Sequence, residues 1–265
     1  SQHIVKLDIP VMIISAILLF FISSDGTISR IDGIILFSGM IAYTVFLIYE
    51  SRNAEPPVQE VFASKYQNKQ PSYQYAILFN IGLIILGLVL LMLGSEWLIS
   101  GATTIAKALG LSELIIGLTI VAIGTSLPEA ATSIIACIRS ESSIAVGNVI
   151  GSNIFNILAV MGLVGIVSPT GLAVSTATQN FDLPVVIATS IVCLPILFTG
   201  FAIHRWEGGL FLSYYVAYTM HLFLLAADST MLQTFDLALG VVLPFTILII
   251  VMSLLRALRN MAFSD

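Results

Sequence analysis

Residues 114–138 read LIIGLTIVAIGTSLPEAATSIIACI, an apolar run with one ionisable acid, Glu129, in its interior. The run exceeds the ~20 apolar residues a helix needs to cross a bilayer core. Hydrocarbon offers no partner to backbone N–H and C=O groups, so such a run must be helical. Pro128 has no N–H, and its ring clashes with the carbonyl of Gly124, so the helix is expected to kink or break there. A carboxylate at this depth costs about 2.5–3.5 kcal/mol even on lenient insertion scales, so Glu129 is expected to face protein or water rather than lipid.

The rest of the chain has the same character. Of its 265 residues 58% are hydrophobic and only 9% charged, and the mean hydropathy is +1.03. A soluble domain carries roughly 25% charged residues, so this composition excludes a water-covered globule. It also carries no basic patch that would suit a nucleic acid. Eight apolar segments are predicted, at 8–24, 31–50, 75–98, 114–138, 143–168, 182–201, 207–227 and 236–257. The polar stretch 51–74, with its prolines and mixed charges, reads as a loop. Cys137 and Cys193 lie inside apolar runs and read as small packing residues.

Cytoplasmic loops collect Lys and Arg. If the eight segments alternate, one side holds Lys6, Arg52, Lys65, Lys69, Arg139, Arg205, Arg256 and Arg259, and the other only Arg30 and Lys107. Both ends of the chain and the 51–74 loop are therefore expected in the cytoplasm, the membrane being a plasma or inner membrane.

Two stretches match each other. Asp8-Ile9-Pro10, Arg30-Ile31-Asp32-Gly33 and Ala42-Tyr43-Thr44 are echoed by Asp182-Leu183-Pro184, Arg205-Trp206-Glu207-Gly208 and Ala217-Tyr218-Thr219, at an offset of 174 residues and then 175. Five segments separate the two starts, so the copies cross the membrane in opposite directions. Inverted repeats of this kind build secondary transporters, with the substrate site where the repeats meet. The fold expected is all-α, a polytopic transmembrane helical bundle with an inverted-topology repeat whose first copy is incomplete at the N-terminus. Residues 1–50 would be the last two helices of the first repeat, 51–74 a cytoplasmic loop, 75–227 the second repeat, and 228–265 an extra C-terminal helix. The same arithmetic predicts about 100 further residues with three helices before residue 1, on the same chain or a second one.

The chemistry concentrates in segments four and five. Thr125 and Glu129 are i and i+4, on one helix face, with Ser126 beside them. Carbonyls freed by Pro128 add further oxygens. Segment five, with SSIAVGNVIGSNIFNILAV from Ser142, carries Ser152 and Asn156 at i and i+4, Asn148 one turn earlier, and Gly147 and Gly151 in a GxxxG that permits close helix approach. Hydroxyl, carboxylate and carbonyl oxygens are the ligands of a hard cation such as Ca²⁺.

GLTIVAIGTSLPEAATS followed by AVGNVIGSNIFNILAVMGL resembles the alpha-repeat of the calcium/cation antiporter superfamily, which includes sodium/calcium exchangers and bacterial calcium or sodium/proton antiporters. The resemblance covers about residues 8–227, with the alpha-repeat at 114–168. It implies a backbone ligand at Ala122, hydroxyl ligands at Thr125, Ser126 and Ser152, and the acid at Glu129. Asn156 stands where some members have Asp and others Asn, which leaves ion choice open. The family's site draws an acid from each of two alpha-repeats, and only one alpha-repeat lies in this sequence.

Other polar residues read as structural. Asp8 and Asp182 precede prolines and read as helix caps, Glu96 beside Trp97 as an interfacial residue, and His221 as a hydrogen-bonded packing residue. No Ser/His/Asp set or phosphate loop points to an enzyme, and no cofactor is expected. The reading is a secondary antiporter exchanging Ca²⁺ for Na⁺ or H⁺ by alternating access, with the lipid bilayer and inorganic cations as its partners. Its rivals are a passive cation channel and a non-transporting, truncated membrane scaffold.

Overall fold

The computed structural model describes residues 2–53, 73–110, 116–194 and 205–262. Nine helices run through them: α1 (Gln2–Ile22), α2 (Arg30–Asn53), α3 (Tyr73–Ala108), α4 (a π-helical turn Gly117–Val121 continuing as Ala122–Thr125), α5 (Leu127–Ile138), α6 (Ser142–Val167), α7 (a π-helical turn Thr178–Asp182 continuing as Leu183–Val192), α8 (Arg205–Ala226) and α9 (Met231–Ala262). A third π-helical turn, Asn156–Met161, lies inside α6. The two-residue strands β1 (Thr27–Ile28) and β2 (Leu172–Ala173) pair antiparallel.

Five helices are long and apolar enough to span a bilayer, and α4 with α5 makes a sixth, bent by 46° at its break. Their large apolar side chains point outward. Leu78 and Trp97 on α3 are 71% and 72% exposed, the reverse of a water-soluble helix. The chain is an all-α, multi-pass integral membrane protein.

Several helix ends differ from expectation. The third segment does not end at residue 98; α3 runs on to Ala108. The residues SGATTIAKA that extend it contain one weak breaker, Gly101, and a glycine costs only about 1 kcal/mol in a helix. Glu96 therefore lies in the helix interior rather than at its end. Nor do Asp8 and Asp182 stand at helix starts. α1 begins at Gln2, which leaves Asp8 buried mid-helix, and α7 begins at Thr178. The caps are serines. Ser175 Oγ accepts the Thr178 N–H at 3.0 Å. Ser29 and Asp32 form a reciprocal box at the start of α2, with Ser29 N and Oγ 2.8 and 2.6 Å from Asp32 Oδ2. Residues 54–72 of the loop, 114–115 of the fourth segment and 195–201 of the sixth lie outside the described residues.

The chain divides into two compact units. One comprises Ser15–Leu93 and Gly151–Leu183. Its centre is the crossing of α2 with the second half of α6, where glycines bring backbones together. A Cβ on Gly33 would stand 2.7 Å from both the Gly162 carbonyl oxygen and the Ile166 nitrogen. Around this crossing, Ser23 Oγ donates to Gln179 Oε1 at 2.8 Å, Gln179 Nε2 donates to the Phe20 carbonyl at 2.9 Å, and Arg30 Nε reaches the Ser168 carbonyl at 3.4 Å. The close approach expected at Gly147 and Gly151 is absent among the described residues, since a Cβ there would meet nothing within 4 Å. Small residues permit contact between helices but do not by themselves create it.

The other unit comprises Ser1–Ile14, Gly94–Ile150 and Pro184–Asp265. It holds the end of α3, the broken α4–α5 pair, the start of α6, and the α8–α9 hairpin. α8 packs on α9 through His221 Nδ1, 2.7 Å from Asp236 Oδ1, and through a hydrogen bond between the Tyr214 and Thr246 hydroxyls.

Candidate functional site

The break between α4 and α5 is built by two residues. Ser126 adopts φ −91° and ψ 0°, the sparsely populated bridge between helical and extended backbone. Pro128 follows in the first turn of α5, where a missing N–H costs nothing. The Pro128 nitrogen cannot serve the Gly124 carbonyl, and Ser95 Oγ from α3 donates to that oxygen instead, at 2.6 Å. The carbonyl freed by the proline accepts a side-chain hydroxyl of the protein itself.

Three of the expected ligand oxygens gather on the last turn of α4. Thr125 Oγ1 and Ser126 Oγ both donate to the Ala122 carbonyl, at 3.1 and 3.3 Å. Helical hydroxyls commonly bond back to their own backbone in this way. What sets the group apart is that both converge on one carbonyl at an exposed helix end. Glu129 sits one turn beyond Thr125. Its Oε2 is buried and has no hydrogen-bond partner, one of two such side-chain atoms among the described residues; the other is Thr103 Oγ1. A buried polar atom left unsatisfied costs about 1–3 kcal/mol, and more if charged. A group kept in that state calls for a visiting partner.

Asn148 on α6 fixes the acid's backbone. Its Nδ2 donates to the Glu129 carbonyl at 3.1 Å and to Ser133 Oγ at 3.0 Å, tying α5 to α6 in register. Ser152 follows one turn later on the same helix, and Asn156 opens the π-helical turn. Ala122, Thr125, Ser126 and Glu129 thus belong with Asn148 to one unit, and Ser152 and Asn156 to the other. π-helical turns appear often at functional positions. One ends just before Ala122 and another starts at Asn156, and neither is signalled in the sequence. Ser95 was also not singled out, although it stands beside Glu96 in an otherwise apolar run. Among the described residues no three His, Cys, Asp or Glu side chains cluster.

Comparison with known proteins gives a consistent answer. The family model described as sodium/calcium exchanger protein matches residues 79–224. The putative antiporter CaxA of Alkalimonas amylolytica is 35% identical, over 83% of this chain and 68% of its own length. The sodium/calcium exchanger MaX1 of Methanosarcina acetivorans is 35% identical over 53% of this chain and 39% of its own. A solved structure of the sodium-calcium exchanger NCX_Mj, soaked with Na⁺ and Sr²⁺, superposes with a TM-score of 0.61 at 31% identity, covering 82% of this chain and 65% of that one. The chain thus spans between about two fifths and two thirds of the length of these relatives. On the matched half of its residues and on its fold, the chain belongs to the sodium/calcium exchanger family, within the calcium/cation antiporter superfamily.

Proposed function

We propose that the complete protein is a secondary active antiporter that exchanges Ca²⁺ for Na⁺ or H⁺ across the membrane by alternating access. The observation that carries this is the Glu129 carboxylate, with one oxygen buried and unpartnered, one turn from the helix end where Ala122, Thr125 and Ser126 gather their oxygens. Glu129 supplies the charge, the Ala122 carbonyl and the Thr125 and Ser126 hydroxyls supply neutral oxygens, and the resemblance adds Ser152 and Asn156 on α6 to the ligand set. Competing cations use the same oxygens, so binding of one drives release of the other. One carboxylate neutralises a divalent ion poorly in a low dielectric, and a second alpha-repeat elsewhere in the complete protein would supply another.

Alternating access is supported by the inverted repeat. α2 begins at Arg30, and the described part of α8 runs from Arg205. The distribution of Lys and Arg supports a plasma or inner membrane location with both ends of this chain cytoplasmic.

Reconstitution of the complete protein in liposomes tests the reading. Ca²⁺ uptake is expected only when Na⁺ or H⁺ is available to leave, and replacement of both by an inert cation should stop it. Flux that persists without a counter-ion, with single-channel currents, would favour a passive pore. In the same assay Asn148→Ala is expected to raise the half-saturating Ca²⁺ concentration by roughly tenfold, as loss of a residue that orients a ligand usually does. An unchanged Ca²⁺ dependence would remove Asn148 from the site.

A further inference from the structure

We propose that Ser95 is a positioning residue for the cation site: its hydroxyl stands in for the backbone N–H that Pro128 lacks and so fixes the turn from which Ala122, Thr125 and Ser126 present their oxygens. The inference rests on the cation-site reading above and adds to it a residue on a third helix, one that is not itself assigned as a ligand.

The geometry is specific. In an unbroken helix the Gly124 carbonyl would accept the N–H four residues on, which is position 128. Proline removes that donor. Ser95 Oγ lies 2.6 Å from that oxygen, a short bond for a neutral hydroxyl and carbonyl, and the oxygen also accepts a backbone N–H of the α4 C-cap. One turn further along α3, Ile99 lies flush against the same residue. A Cβ built on Gly124 would stand 2.3 Å from Ile99 Cγ1 and 2.8 Å from Ile99 Cδ1. Gly124 is buried, and it is the bare backbone onto which α3 closes. Thr103, one turn beyond Ile99 on the same face, also buries its hydroxyl oxygen. α3 therefore turns a stripe of 95, 99 and 103 inward, although most of its apolar surface faces out.

The consequence for the site follows from sequence adjacency. Thr125 and Ser126 directly follow Gly124, and Ala122 lies two residues before it. Loss of the Ser95 bond leaves the Gly124 carbonyl held only by a backbone N–H of the cap, just before the chain passes through the bridge conformation at Ser126. The three oxygens then lose their common anchor, and the affinity for a cation falls before the fold does.

The test uses the complete protein in Na⁺-loaded liposomes, with ⁴⁵Ca²⁺ uptake measured against external Ca²⁺. The variants are Ser95→Ala, Ser95→Val and Ser95→Thr, with Glu129→Gln alongside. Thr and Val have nearly the same shape and differ in the hydroxyl. Ser95→Ala and Ser95→Val are expected to raise the half-saturating Ca²⁺ concentration roughly tenfold with a smaller change in maximal rate, while Ser95→Thr recovers most of the affinity. Unfolding temperature in detergent provides the control, since a purely structural role would lower it without shifting half-saturation. Glu129→Gln should lose counterflow. If it does, and Ser95→Ala saturates as the parent does or Val performs as well as Thr, this inference alone falls. If Glu129→Gln exchanges normally, the site reading itself is wrong and the inference falls with it.

Discussion

Glu129→Gln in the complete protein is expected to cut Ca²⁺ counterflow by about a hundredfold or more. Glutamine keeps the shape of the side chain and one carbonyl oxygen but removes the charge. Leaving a desolvated ion without its counter-charge costs about 3–5 kcal/mol, and each 1.4 kcal/mol is a factor of ten. The same substitution should not destabilise the protein. Oε2 is buried without a hydrogen-bond partner, so the carboxylate contributes strain rather than support in the absence of a cation. An unfolding temperature that holds or rises while exchange disappears is the combined signature of a residue retained for function at a cost in stability. Normal exchange by this variant, in vesicles where the parent is active, would remove Glu129 from the transport path.

Gly33→Ala should be the most damaging small substitution outside the site. The new methyl would meet backbone on the facing helix, at 2.7 Å from both the Gly162 oxygen and the Ile166 nitrogen, and backbone cannot rotate away as a side chain can. Overpacking a close-fitted interior costs about 1–3 kcal/mol, and this contact belongs at the upper end or beyond. The measurement is folded yield and unfolding temperature in detergent. Gly147→Ala is the comparison, because a Cβ there meets nothing within 4 Å among the described residues. If Gly147→Ala proves the severe change and Gly33→Ala the mild one, the close helix crossing has been placed on the wrong pair.

What the sequence disclosed, and what it withheld, follows from the physics of lipid. Eight apolar segments can be counted because each must be long and nearly free of charge, and the described helices correspond to them one for one once α4 and α5 are joined. The break at Pro128 can be read for the same reason, since a missing N–H is a covalent fact. Helix ends are harder. α3 overruns its expected end by ten residues because small and hydroxylated residues neither favour nor forbid another turn. Aspartates before Pro10 and Pro184 look like caps, yet both lie within helices that start earlier. Ser175 caps α7 in place of Asp182, and only the position of the first turn could distinguish the two. Contacts between helices are the least accessible of all. The Gly147–Gly151 spacing drew attention, while Gly33, Gly162 and Gly165 do the packing across more than a hundred residues of intervening chain. Ser95 escaped notice for a related reason. Its role is defined by a donor that Pro128 removes from another helix, and a missing donor leaves no mark in the neighbourhood of the residue that replaces it.

The glycine crossing of α2 and α6 also bears on how such a molecule could move. Two rods touching through bare peptide groups have no rotamers between them to absorb a gradual slide, and a shift by part of a turn would drive a Cα into a neighbouring carbonyl. Only a jump by a whole repeat, or complete separation, escapes that collision. The pair is built as a stationary post, and any displacement elsewhere in the chain would have to be accommodated by elements joined through side chains.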